Sequence, residues 1–324
     1  MTIACFGEAL AVLVQAQPGP LERSETFTRS LGGAEINVAI ALVAQGTPAA
    51  VLTRVGNDGF GRFITESLTG FGVDVSGVDV DPDRPTGMYL KEIGGDTGDA
   101  HDLGPHVSRM HYYREGSACS ALSPALLGSP AVASLLADAS IVHTTGITPA
   151  LSVSALQTQR ALFASRRLGQ LISFDLNWRP TLWRGRTDAA REILSSFVAT
   201  ADIALLGSDE ARAVLGTSDP DALRRRFPEP RWLIVKDDKN TAVGYDGTTR
   251  FAVTPDTVDV VETIGAGDAF AAGLLAGLAA HEPLDAAMRR AHATAVRALS
   301  SVNDHVGAVD DPADLHSDRV GGGA

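Results

Sequence analysis

Short apolar runs that alternate with helix-length segments set the strongest limit on this chain's fold. "TIACFG" (Thr2 to Gly7) has the pattern of a buried strand closed by glycine. In "GGAEINVAIALVAQG", Ile36, Ala39, Ile40 and Val43 recur at helical spacing, and Gly46 offers a C-terminal stop. "AAVLTRVG" (Ala49 to Gly56) reads as a strand and "DGFGRFITESLTGFGV" as a helix. The rhythm continues through "ASIVHTTG", "LSVSALQTQRALFASRRLG", "LISFDLN", "DAAREILSSFVATA", "DIALLG" and "WLIVK". Parallel strands need long crossovers, and helices are the usual crossovers. This alternation therefore predicts an α/β fold whose mainly parallel sheet is covered on both faces.

Two stretches break the rhythm. Residues 12–30 and 86–118 carry alternating patterns, turn residues and polar inserts. They read as antiparallel strands outside the main sheet, forming either a small β lid or a surface hairpin. The expected division is a core of residues 1–11, 31–85 and 117–312, a lid of 12–30 and 86–116, and a polar, glycine-ended tail at 313–324 that frays. With 324 residues, 44% of them hydrophobic, one sizeable core is available. A net charge of −12 argues against a general nucleic-acid or anionic-membrane binder, which needs a basic face. Cys5 and Cys119 show no CxxC or metal spacing, so two reduced thiols are expected. The N-terminus lacks the basic region of a secretory signal and carries Glu8. "AFAAGLLAGLAA" is too short to span a bilayer and reads as a buried helix. These features predict a cytoplasmic protein.

The stretch "ETIGAGDAFAAG" (Glu262 to Gly273) carries the chemistry. If a helix starts near Asp268, the amides of Gly265, Ala266 and Gly267 lack intrahelical partners and attract an anion. Asp268 is then either a helix cap or a reactive carboxylate. No Walker A run and no protein-kinase signature is present. His101, His106 and His111 match no ligand spacing.

"GAGDAFAAG" after Thr263, late in an α/β chain, resembles the second signature of the ribokinase/PfkB carbohydrate kinases. "GGAEINVAIALVAQG" with "VGNDGFG" resembles their first, in the right order. The resemblance runs from about Thr2 to Asp310 and implies a ribokinase-like three-layer fold. It implies that Asp268 takes the proton from a sugar hydroxyl while Gly265, Ala266 and Gly267 hold the migrating phosphoryl group. Such transfer demands charge stabilisation more than strong basicity. An aspartate at a helix start is expected to stay ionised and be a weak base. The resemblance also implies ATP and Mg²⁺, with room for a monovalent cation. Asn177, Ser208, Lys236, Asp238 and Thr241 would lie along the nucleotide, together with Gly265 and Gly267. Glu210 would face the metal, its alternative being an exposed acid at a helix start. The chain departs from the family pattern at Asp238 and Thr241, which replace two glycines of KxGxxG, and at Gly207, which replaces an asparagine.

"TGMYLKE", "YYREGSACSAL", "HTTGITPAL" and "FDLNWRPTLW" look like the 2-keto-3-deoxygluconate kinase branch. The resemblance then assigns the sugar to Gly33, Asn37, Tyr89, Tyr112, Arg114, Arg179 and Asp304. A guanidinium suits a sugar acid's carboxylate because its planar fork matches the two oxygens. Solvated lid charge and lid packing are the alternatives for Arg114 and the tyrosines. Ala11 and Val12 stand where ribose- and fructose-type members often carry aspartate, which favours a sugar acid. The rivals are a fructokinase or other PfkB sugar kinase, and a non-catalytic sugar or nucleotide sensor. The lid's strand edge also invites a second copy, predicting a homodimer or higher homo-oligomer.

Overall fold

The computed structural model describes residues 1–237, 241–254 and 265–299. Its strands, in chain order, are β1 (Thr2–Phe6), β2 (Leu10–Gln15), β3 (Phe27–Gly32), β4 (Ala49–Gly56), β5 (Asp74–Asp81), β6 (Met88–Ile93), β7 (Ser108–Tyr113), β8 (Ala139–Thr145), β9 (Leu171–Asp175), β10 (Ile203–Gly207), β11 (Trp232–Lys236), β12 (Ala242–Asp246) and β13 (Thr249–Val253). The helices are α1 (Ala34–Ala44), α2 (Gly59–Gly70), α3 (Pro130–Asp138), α4 (Thr148–Leu151), α5 (Val153–Ala164), α6 (Thr187–Thr200), α7 (Ser208–Leu215), α8 (Pro220–Arg226), α9 (Ala266–Ala279) and α10 (Leu284–Leu299).

Among the described residues, nine strands form the main sheet in the order β13-β12-β11-β10-β9-β8-β1-β4-β5. Its β5-to-β11 part is parallel, and β12 and β13 close one edge antiparallel. The strands alternate between two cores. Ile203, Leu205, Trp232 and Ile234 face a layer built from α1, α2, α9 and α10. Their neighbours Ala204, Leu206, Leu233 and Val235 face α6, α7 and α8. A third cluster packs α3 and α5 against β1, β4 and β8. Both sheet faces are thus buried, which is why these strands read as unbroken apolar runs. Each fully buried leucine or isoleucine contributes roughly 2 kcal/mol to such layers.

From β1 the sheet grows one way through β4 and β5, and the other way through β8 to β13. The chain order therefore switches beside β1 and β8, where the carboxyl ends of parallel strands open a crevice. The expected buried helix is α9, with every residue from Ala269 to Leu278 buried.

A separate four-strand sheet, in the order β3-β2-β6-β7, comes from the two segments that break the alternation. Its strands run past the expected limits, back to Leu10 and on to Gly32. One pairing differs from expectation: β2 and β6 run parallel, with Ala11 opposite Met88. They belong to different excursions from the core, so no hairpin forces them antiparallel. Cys5 and Cys119 are free and buried, as expected of reduced thiols. No helix among the described residues is long and apolar enough to cross a membrane. The tail at 313–324 lies outside the described residues.

Candidate active site

The site gathers at the carboxyl ends of β1, β8, β9, β10 and β11, beneath the amino end of α9. Gly265 precedes α9 with φ +79°, a left-handed conformation that costs glycine little. Among the described residues, no side chain caps this end. The first intrahelical bond recorded at this end runs from the Ala269 amide to the Gly265 carbonyl at 2.8 Å. The amides of Gly265, Ala266, Gly267 and Asp268 therefore have no acceptor within the helix. Gly267 is exposed, and a Cβ placed there would stand 3.8 Å from Lys236 Nζ. Four amides, the positive end of the helix dipole and one ammonium thus converge on a cradle for an anion.

Asp268 is the third residue of α9, inside the helix and not its cap. Asn37, on the neighbouring α1, donates from Nδ2 to Asp268 Oδ2 at 2.8 Å. Burial pushes the Asp268 carboxyl up to about 7, and Asp175 adds to the rise. Asn37, Arg179 and Lys236 pull the other way and lose. This corrects the expectation of an ordinary, fully ionised carboxylate, since desolvation outweighs the helix start. Asn37 is itself buried, and its Oδ1 has no partner among the described residues. That atom is an open acceptor beside the carboxylate.

Lys236 ends β11 and pairs with Asp175 Oδ2, at the end of β9, at 2.5 Å. Burial alone would lower the lysine's pKa, but Asp175 and Glu210 outweigh it and hold it above its ordinary value. Glu210, in the first turn of α7, pairs with Arg179 Nη1 at 3.1 Å. Burial and Asp175 raise its carboxyl, against Lys236 and Arg179. A Cβ at Gly207 would press within 3.0 Å of Glu210 Oε2, so a side chain at 207 would crowd this carboxylate. The donors fit Mg²⁺: they are hard carboxylate oxygens, and Asp175 Oδ1 is buried without a partner among the described residues.

Ser208 opens α7, whose first turn also carries Glu210. Asn177 follows β9 with φ +39°, a conformation asparagine tolerates, and its buried Oδ1 also has no partner among the described residues. Thr241 precedes β12 and meets Thr254 Oγ1 at 2.7 Å. Arg179 stands with this charged group, also donating to the Trp178 carbonyl at 3.0 Å, and not beside Arg114. Asp238 and Asp304 lie outside the described residues.

The opposite end of the crevice is made by the second sheet. Tyr89 on β6 and Tyr112 on β7 are cross-strand partners with ring centroids 5.3 Å apart. Tyr89 is buried, and its hydroxyl lies 3.0 Å from where a Gly32 Cβ would be. Arg114 follows β7. Its guanidinium lies 4.4 Å over the Tyr112 ring, and its Nη2 is 3.0 Å from Glu8 Oε2. Gly33 joins the two ends of the site. Its carbonyl accepts the Asn37 amide at 2.9 Å, while its φ is +128° and a Cβ there would stand 2.1 Å from the Glu8 carbonyl. Gly33→Ala is therefore expected to cost at least about 2 kcal/mol, read as a fall in melting temperature. A variant that melts like wild type would remove this close approach from the account.

Sequence reasoning passed over Glu8 and Glu35. Glu35 is fully buried on α1 and accepts from Thr145 Oγ1 at 2.7 Å. Burial, joined by Asp268 and Glu8, pushes it up to about 7 despite that bond. A Cβ at Gly7 would overlap its carboxyl group at 2.0 Å, so the glycine after β1 makes its room. The available signal was an acid as the one charged residue of an apolar helix, since carboxylates are seldom buried without a purpose. On the second sheet, Glu22, Asp99 and His101 come within 4.8 Å of one another, but Arg23 already pairs with Asp99. That group is an exposed ion-pair cluster.

An amide cradle flanked by a lysine, with a carboxylate of raised pKa at its edge, is equipped to hold a phosphoryl group and take a proton from its acceptor. The pfkB family carbohydrate kinase model matches residues 1–308, and the chain belongs to that family. It is similar to the 2-dehydro-3-deoxygluconokinase of Thermoproteus tenax, with 37% identity over 297 residues, 89% of this chain and 86% of that protein. The enzyme of the same name from Bacillus subtilis is 34% identical over 278 residues, 84% of this chain and 82% of that one. Among solved structures, a PfkB protein from Polaromonas sp. JS666 superposes with a TM-score of 0.82 at 29% identity, covering 98% of this chain and 99% of that chain. The fold is ribokinase-like.

Proposed function

We propose that this chain is a cytoplasmic kinase that transfers the terminal phosphoryl group of ATP to 2-keto-3-deoxygluconate, giving the 6-phosphate. The observation that carries the reading is the Asp268 carboxylate, held by Asn37 at 2.8 Å at the edge of the amide cradle. Asp268 accepts the proton of the sugar hydroxyl. Gly265, Ala266 and Gly267 offer main-chain N–H groups to the oxygens of the migrating group, and Lys236 neutralises their charge. Glu210 would hold Mg²⁺, with Asp175 beside it; the ion, when bound, offsets charge on the phosphate oxygens. Asn177, Ser208 and Thr241 line the nucleotide side, with Asp238 assigned there by the family pattern.

Arg114 receives the sugar's carboxylate, and Tyr89, Tyr112, Gly33 and Asn37 shape the rest of the pocket; Arg179 acts from the Glu210 side of the crevice, and Asp304 is assigned to the sugar by the family resemblance alone. The names of the two curated relatives support this choice of sugar. The second sheet acts as the lid that excludes water from the reaction. Its outer strand exposes Tyr112 and Tyr113, and a second copy pairs there to form a homodimer.

The test is a coupled assay of ADP release over a panel of sugar acids and neutral hexoses. The sugar acid is expected to exceed fructose by about 100-fold or more in kcat/KM, roughly the worth of one charged pair. Equal turnover of fructose would overturn the substrate assignment. A chain with no sugar-dependent turnover on any of them would be a sensor.

A further inference from the structure

Arg114 reaches the crevice from the lid, and one core residue determines where its guanidinium can lie. Glu8 follows β1 and is 1% exposed, and its backbone carbonyl lies against Gly33. Its Oε2 is 3.0 Å from Arg114 Nη2, and the arginine side chain is itself only 12% exposed. The Tyr112 ring covers one face of the guanidinium at 4.4 Å. Arg114 Nε is buried with no hydrogen-bond partner among the described residues. A donor buried in that way costs free energy until something accepts from it. Nη2 is ion-paired with Glu8 without a hydrogen bond, since neither Glu8 carboxylate oxygen has a hydrogen-bond partner among the described residues, and Tyr112 covers one face, while Nε still needs an acceptor.

We propose that Glu8 is the positioning residue for Arg114, holding its guanidinium so that the Nε edge is left to receive the substrate's carboxylate. This rests on the sugar-acid reading above. A guanidinium presents two donor edges, so it can keep one carboxylate and accept a second. Without the counter-charge of Glu8 the empty enzyme would hold an unpaired, largely buried cation. The arginine, carried on the loop after β7, would then turn toward water. Each binding event would have to bring it back, which weakens ground-state binding and leaves the chemistry at Asp268 largely alone.

Steady-state kinetics of Glu8→Gln, Glu8→Asp, Arg114→Gln and the Glu8→Gln/Arg114→Gln pair, on 2-keto-3-deoxygluconate and on fructose, test this. Glu8→Gln is expected to raise KM for the sugar acid about tenfold, with kcat changing less than about threefold. The KM for fructose should move far less. Glu8→Asp, which keeps the charge on a shorter arm, should recover part of the loss. Adding Glu8→Gln to Arg114→Gln should change KM no further. A sugar-acid KM that stays put or falls in Glu8→Gln overturns the proposal, the fall because Glu8 would then compete with substrate. So does an equal loss on both sugars. If Glu8→Gln does not fold, Glu8→Asp decides: a sugar-acid KM raised at least about threefold supports the role, and a wild-type KM overturns it. Arg114→Gln separates the two layers. If it leaves the sugar-acid KM untouched, the sugar-acid reading itself is wrong; if it raises KM while Glu8→Gln does not, only the role of Glu8 falls.

Discussion

Asp268→Asn is expected to lower kcat by at least about 10³-fold while making the protein slightly more stable near pH 8. General-base assistance is worth roughly 10² to 10⁴ in rate, and asparagine cannot accept the hydroxyl proton. It keeps the size of the aspartate and an acceptor for Asn37, so positions around the cradle should hold. The gain in stability follows from the carboxyl being pushed up from 3.8 to about 7, mainly by burial. Between those values the folded state binds more protons than the unfolded state. The contribution of Asp268 to stability therefore falls as pH rises through that window, and above it a half-buried charge is held at a cost. Because the group is partly exposed, that cost is discounted to the order of 1 kcal/mol, about 2 °C in melting temperature. Asparagine removes it at pH 8, and near pH 4 the variant and wild type should melt alike. The same raised pKa predicts that wild-type kcat/KM falls as pH drops through about 7, since the base works only when deprotonated. A wild-type profile flat down to pH 5, or an Asn variant with full turnover, would remove Asp268 from the proton transfer.

The main sheet was legible because its strands are buried on both faces and so appear as continuous apolar runs, such as Leu233 to Val235. The exceptions lie at the sheet's two edges: β5, "DVSGVDVD", whose aspartates alternate with valines and leave no such run, and the short antiparallel strands β12 and β13, none of which reads as a strand in the sequence. The parallel pairing of β2 with β6 was illegible for a different reason: it joins two excursions separated by the whole of α1, β4, α2 and β5, and local pattern carries no register across that distance. At the site, adjacency alone shows the glycine turn ahead of Asp268 but leaves that residue open between a helix cap and a reactive carboxylate, and the family resemblance decides between them. The carboxylates that surround it could not be read from adjacency. Glu8, Glu35 and Asp175 arrive from β1, α1 and β9, and only the sheet's switch point places them on one crevice. The raised pKa of Asp268 is a product of that convergence, because packing around it and the nearby Asp175 outweigh the stabilising contacts from Asn37 and Arg179. A single local sequence suggests an ionised aspartate, whereas the assembled fold makes a better base.

The second large effect is expected at Arg114. Arg114→Ala should reduce kcat/KM for the sugar acid by about 100-fold, chiefly through KM, because a buried charged hydrogen-bond pair is worth about 2–3 kcal/mol. Fructose offers no carboxylate to the guanidinium, so its kcat/KM should fall far less, and discrimination between the two sugars should collapse. The truncation acts on the empty enzyme as well. It removes the cation that holds down the carboxyl of Glu8, which burial already raises. Glu8 would then be left unpaired, and its carboxyl would be pushed up further by burial. It also strips the Tyr112 ring of the cation stacked on it at 4.4 Å. The two sources of loss separate in one comparison. Arg114→Ala/Glu8→Gln should regain melting temperature relative to Arg114→Ala, because no buried carboxylate is left uncompensated, yet it should recover none of the lost affinity for the sugar acid. A double variant that restored sugar-acid binding would show that the penalty came from the orphaned Glu8 and that Arg114 does not hold the substrate.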